Sequence, residues 1–174
     1  MPDHAPKITR RQVLATSAAM ATAAVAVTSG HVVNWWDRDA ADGYESLGPQ
    51  EVKLVNALGE AMFPPGGVPA LSGAEVGLDH YFDGILTAMD SPTDNLLRLL
   101  LHALDDWAFL EAGLPYAQLS LDARIDKLDL WLNHDSHLVR GAVSGLLVFL
   151  GMGYCGHPEV KAAAGWIFPC GYSR

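Results

Sequence analysis

Past Gly48 the apolar residues fall three and four positions apart in one run after another, and no stretch shows the strict alternation of a half-buried strand. A chain patterned this way is confined to helices, and its prolines and glycines mark where each must stop. Pro49 suits a first helical turn, and Val52, Val55, Leu58 and Met62 follow until Pro64-Pro65 ends the segment. After a Gly66-Gly67-Val68-Pro69 loop, the spacing of Ser72 and Glu75 is that of a capping box. It predicts a second helix through Val76, Tyr81, Phe82, Ile85, Leu86 and Met89, ending near Asp90. The stretch from about Pro92 to Ala112 carries Leu96, Leu97, Leu100, Leu101, Leu104, Trp107, Ala108 and Leu110, the widest apolar arc in the chain, and is expected to be the central helix. Ser120 opens a fourth with Leu121, Ile125, Leu128 and Trp131 or Leu132, and a fifth runs from about Ser136 to Met152. A short sixth is expected to end at Ala164. The pattern and the short connections therefore predict an all-α fold, a compact bundle of five to six helices.

The first 27 residues read differently. Thr9-Arg10-Arg11-Gln12-Val13-Leu14 precedes an uncharged run from Ala15 to Val27, rich in Ala and Thr, that is too short to span a bilayer comfortably. Arg10 and Arg11 in this setting look like a bacterial twin-arginine export signal, with Ala24-Val25-Ala26 as the best small-x-small cleavage site. A retained anchor and an ordinary amphipathic helix are the alternatives. The expected organisation is a signal peptide over 1–27, a mobile leader over 28–47 and a helical domain over 48–174. Export places the protein in the periplasm or outside the cell, with no stable transmembrane span after cleavage.

Eleven basic against twenty acidic side chains give a net charge of -9. Cleavage after Ala26 leaves eight basic and nineteen acidic groups, or -11. Such a chain repels nucleic acid and anionic membranes and favours a basic partner. With 174 residues it is also too short for a flavin domain with a substrate domain attached. Trp35-Trp36, two indoles in a polar leader, must be covered by the domain or by another protein.

The tail beyond Met152 is rich in glycine and aromatic residues, notably Tyr154, Trp166, Phe168 and Tyr172, and is bracketed by the only two cysteines, Cys155 and Cys170. In an oxidising compartment the simplest reading is one disulfide stapling the C-terminal segment, worth about 3 kcal/mol for a loop of this length. Free buried thiols and a redox role are the alternatives. Cys-x-x-Cys is absent from the sequence.

His102, Asp105 and Asp106 lie at i, i+3 and i+4 of the third helix, and His134-Asp135-Ser136-His137 joins the fourth and fifth. Were the two groups to meet, they have the donor atoms for zinc, iron or manganese. The competing reading has Asp135 or Asn133 capping the fifth helix and the histidines on its polar face. There is no Glu-x-x-His pair, no His-Glu-x-x-His and no Gly-x-Ser-x-Gly. No catalytic, cofactor-binding or metal-binding residue is therefore assigned to this chain.

Three stretches together resemble the gluconate 2-dehydrogenase subunit 3 family, the small subunit of exported flavin-dependent dehydrogenases. They are Phe63-Pro64-Pro65-Gly66-Gly67-Val68-Pro69 with Gly73-Ala74-Glu75-Val76-Gly77-Leu78-Asp79-His80-Tyr81-Phe82-Asp83; Leu119-Ser120-Leu121-Asp122-Ala123-Arg124; and Gly153-Tyr154 followed by Pro158-Glu159-Val160. The resemblance implies a noncatalytic subunit that stabilises an FAD-dependent sugar or alcohol dehydrogenase and escorts it through twin-arginine export. FAD then belongs to the large partner subunit, and some such complexes add a cytochrome c. Trp35, Trp36, Pro64, Pro65, Tyr154, Trp166, Phe168 and Tyr172 are the expected partner interface, since aromatic residues concentrate at interface centres; the competing reading has the tail aromatics close the bundle internally. The competing classes are a secreted helical binding or structural protein without a redox partner and a small metal-dependent enzyme.

Overall fold

A computed structural model of the chain describes residues 39–165, in which six α-helices and one 3₁₀ turn account for all the regular structure. They are α1 (Pro49–Met62), α2 (Leu78–Ala88), α3 (Ser91–Ala112), the 3₁₀ turn (Tyr116–Gln118), α4 (Leu121–Leu132), α5 (His137–Gly156) and α6 (Pro158–Ala163). The expected all-α bundle is what forms. Arg10, Arg11, Trp35, Trp36, Trp166, Phe168, Cys170 and Tyr172 lie outside the described residues.

The helix at the centre is α1, not the longer and more apolar α3. It packs against α2, α3, α4 and the 3₁₀ turn, burying Leu54, Val55, Ala57, Leu58 and Ala61. Around it stand Leu78, Phe82, Leu101, Tyr116, Trp131, Leu146 and Leu150, each almost wholly shielded from water. Burial of side chains this size contributes on the order of 1.5–3 kcal/mol each. In contrast, α3 buries one face only and leaves Leu96, Leu99 and Leu110 in solvent.

Two boundaries differ from the sequence pattern. The Ser72–Glu75 pair does form a box, with Glu75 Oε2 accepting from both the N–H and the hydroxyl of Ser72 at 2.7 and 2.8 Å. That box closes a turn rather than a helix, because Gly77 follows in the left-handed region at φ 70° and α2 starts only at Leu78. At the other end, α5 continues four residues beyond Met152. An added Cβ at Gly153 would sit 2.4 Å from the Tyr81 ring, so glycine there allows α5 to approach α2 closely and does not break the helix.

The continued helix also removes the expected staple. Cys155 is a free, half-exposed thiol in the last turn of α5, and among the described residues no second sulfur lies near bonding distance of it. A disulfide needs its two Cα atoms within about 4.4–6.8 Å of each other. Cys155, expected to tie the terminal segment to the end of the fifth helix, sits on a helical turn that passes through His157 into α6. The expected Cys155–Cys170 disulfide is thus corrected to a free Cys155 thiol.

Among the described helices, α5 is the one long and apolar enough to cross a membrane by length and composition, with a mean hydropathy of 1.6. Its Val143, Leu146, Leu147, Leu150 and Tyr154 are in the protein core.

Candidate functional site: an exposed proline loop on a rigid base

The three stretches that carry the family resemblance converge on the end of α1. Phe63 closes that helix through its N–H to Gly59 O at 2.9 Å. Its ring stacks on Tyr154 with centroids 3.7 Å apart and planes 1° from parallel. The Tyr154 hydroxyl donates to Leu71 O at 2.7 Å, and Gly73 N–H returns to Phe63 O at 2.9 Å. Both ends of the loop are therefore tied to α1 and α5, and Tyr154 holds both. Burial raises the Tyr154 phenol above its ordinary value, with the neighbouring Cys155 and Glu75 adding to the shift.

Gly73 shows why this base accepts no larger residue. A Cβ built there would lie 2.1 Å from Gly59 O, a backbone atom that cannot swing aside. Leu119–Arg124 adds the third side. Arg124 pairs with Glu60 at 2.8 Å, its backbone carbonyl accepts from the Tyr116 hydroxyl at 2.9 Å, and Ser120 Oγ caps α4 by accepting from Ala123 N–H.

From this base the residues Pro64 to Val68 project into solvent, with Val68 97% exposed at the tip. Gly66 takes a left-handed φ of 84°, and the Val68-Pro69 peptide is cis. Pro64-Pro65-Gly66-Gly67-Val68-Pro69-Ala70 contains no ionisable side chain. Such a loop can make contact; it has nothing with which to move a proton or hold a metal.

Of the expected interface residues, Pro64 and Pro65 are exposed, whereas Tyr154 is only 6% exposed and belongs to the base. Its distance from the first motif along the chain is what hid this from sequence reasoning. A second feature was also missed, a polar clamp on the segment expected to be a mobile leader. Asp83 accepts the backbone N–H groups of Glu45, Ser46 and Leu47 at 2.9, 2.8 and 2.7 Å. Asp79 accepts the Tyr44 hydroxyl at 2.6 Å and Asn56 Nδ2 at 2.8 Å, while the Tyr44 ring stacks on His80. Burial works to raise both carboxyls, but these hydrogen bonds prevail and hold them below the usual range. Burial, with Asp79 beside it, pushes Tyr44 up to about 12.

The possible ligand groups have structural roles. His102 Nε2 lies 3.0 Å from Glu51 Oε1, and Glu51 Oε2 pairs with Arg98 and accepts from Gly48 N–H, each at 2.8 Å. Burial pushes the Glu51 carboxyl up, yet the His102 and Gly48 bonds and the Arg98 charge bring it below the ordinary value. Asp105 accepts from Tyr116 N–H at 2.8 Å. His134 Nδ1 accepts from Ser136 N–H at 3.0 Å, and its ring meets Trp107 edge-on. Neither Asp135 nor Asn133 caps α5; Ser136 occupies that position, and Asn133 bonds back to Asp129 at the end of α4. No group of three or more metal-ligating side chains occurs among the described residues.

No family model matches the chain, and neither a curated protein nor a solved structure matches it. The subunit 3 likeness is thus not carried by any family-model match; it rests on the three stretches named above.

Proposed function

We propose that this chain is a noncatalytic small subunit that stabilises an FAD-dependent sugar or alcohol dehydrogenase and escorts it through twin-arginine export. The observation that carries the reading is the convergence of the three resemblance-bearing stretches on one base beneath an exposed, uncharged loop. Phe63 and Tyr154, from two of the stretches, stack on one another, and Arg124 of the other pairs with Glu60 on the last turn of α1. The Arg10-Arg11 leader supports the export part, because a flavin is acquired in the cytoplasm and only a folded pair can carry it out. On this reading FAD sits in the partner, a cytochrome c can complete the assembly, and Pro64, Pro65 and Val68 belong to the contact.

Purification of the native protein from its host tests the proposal. A flavoprotein should co-elute, recognised by its absorbance near 450 nm, and replacing both Arg10 and Arg11 with Lys should leave the pair in the cytoplasm. Exported protein that never carries flavin, or undiminished export of the double variant, would overturn it.

A further inference from the structure

The surplus apolar surface of α3 is not scattered. Two adjoining recesses, of about 420 and 240 Å³, lie between α3 and α5 and share Leu100, Ala103 and Ala142. Leu96 and Leu99 meet Gly145 and Phe149 in the first, and Trp107 meets Leu138 in the second, so the helices run antiparallel and the recesses form one groove. It extends over twelve residues of each helix, about 17 Å at the helical rise. No charged side chain lines it. Its margins keep large apolar groups in water: Leu138 is 85% exposed, Leu96 64% and Leu99 51%.

We propose that this groove receives an α-helix of the larger partner subunit, of about three turns, with a leucine-type stripe facing the groove and basic residues at both ends. The proposal rests on the escort reading above for the partner's identity. The occupant's form follows from the lining. A strand or irregular segment would bring unpaired backbone N–H and C=O groups against a wall whose one side-chain polar group, the Trp107 indole N–H, is already given to Glu111, whereas a helix satisfies its own. Docking of an apolar helical face into such a groove is a recurrent mode of recognition.

The charges select the ends. Asp90 precedes α3 and Asp94 lies on its first turn, beside the Leu96 end, and Asp135 precedes α5 at the Leu138 end, with Arg140 on its backbone carbonyl. Together with the net charge of -9 they favour lysine or arginine flanking the stripe and disfavour anionic lipid. A second copy fits less well, because it would set the same acidic groups, Asp90, Asp94 and Asp135, against these ends instead of basic ones.

The test uses the full-length protein and a fluorescein-labelled peptide of about 16 residues, with leucines three and four apart and lysines at both ends. Fluorescence anisotropy should show saturable binding. Gly145→Leu should weaken it at least about tenfold without lowering the melting temperature, since an added Cβ at Gly145 meets no atom within 4 Å. Leu96→Lys should weaken it as well, and Leu130→Ser, a surface change outside both recesses, should leave it unchanged. A peptide with glutamates at its ends should bind more weakly than the lysine form. Equal binding by the Gly145→Leu protein or by a peptide with scrambled leucines would overturn the proposal. So would a dimer in sedimentation equilibrium that Gly145→Leu dissolves, which makes the occupant a second copy, or Gly145-dependent binding to phosphatidylglycerol vesicles, which makes it lipid. Flavoprotein that co-purifies undiminished with Gly145→Leu defeats the groove assignment and leaves the escort reading standing; peptide binding with no flavoprotein in the host defeats the escort reading and supports the groove as a helix site.

Discussion

The two sides of this bundle meet water in opposite ways. On the side where α1 and α2 hold Tyr44–Leu47, nearly every polar group is matched: Asp83 takes three backbone N–H groups, Asp79 takes Tyr44 and Asn56, and Glu51 takes Gly48, Arg98 and His102. On the side where α3 meets α5, leucines stand exposed around an uncharged groove. The first arrangement has satisfied its requirements internally. The second gains nothing from being open, since each exposed leucine forgoes about 1.5–3 kcal/mol that full burial would bring. Stability should therefore be concentrated on the clamp side and association on the groove side, and substitutions can separate the two.

The largest effect is expected from Asp83→Ala. It leaves three backbone N–H groups of Glu45, Ser46 and Leu47 without their acceptor, and should cost about 3–5 kcal/mol in urea unfolding. A loss under about 1 kcal/mol would show that Tyr44–Leu47 is not part of the cooperative fold. Next comes Gly73→Ala, where backbone must yield to a Cβ placed 2.1 Å from Gly59 O. The expected loss is about 2–4 kcal/mol, with the Pro64–Val68 loop becoming more open to proteolysis. A near-neutral result would mean that the α1 end relaxes easily and is no rigid base.

Acid should act on the clamp side and not on the groove. The Glu51, Asp79 and Asp83 carboxyls are held below their ordinary values in the folded protein. Their contribution is therefore complete above the unfolded values, near 3.8 for Asp and 4.5 for Glu, and is lost as pH falls through the lower folded values. The melting temperature should stay level from pH 7 to about 5 and decline below about 4.5. Asp83→Asn should flatten part of that decline; an identical acid profile for the variant would remove Asp83 from the account. The smallest effect belongs to the groove. Leu96→Ser with Leu99→Ser should change unfolding free energy by no more than about 1 kcal/mol, because both side chains are already exposed. A loss as large as that of Asp83→Ala would mean that these leucines hold the bundle together.

Much of the architecture is legible along the chain. Pro49 and Pro64 bracket α1, Gly113 ends α3 in the left-handed conformation at φ 73°, and Ser120 caps α4, all as their local chemistry dictates. The errors have one origin. The fifth helix reads as ending near Met152 until Tyr81 is seen to occupy the space a Cβ at Gly153 would need. Tyr154 reads as interface until Phe63, far earlier in the chain, is found stacked on it. The candidate loop was visible as a proline-glycine cluster, whereas its base was not, because stacking and hydrogen bonds between distant segments leave no local pattern.

By itself, the sequence determined the helical class, the number of segments, most of their boundaries and the acidic charge, since these follow from spacing, caps and composition within a few residues. Only the tertiary structure decided which helix is central. Periodicity measures how much apolar surface a helix presents, and α3 presents the most; packing decides how much of that surface is covered, and a larger share of α1 is buried. The same distinction produced the groove, for an apolar arc reads alike in sequence whether a neighbouring helix fills it or leaves it open to water.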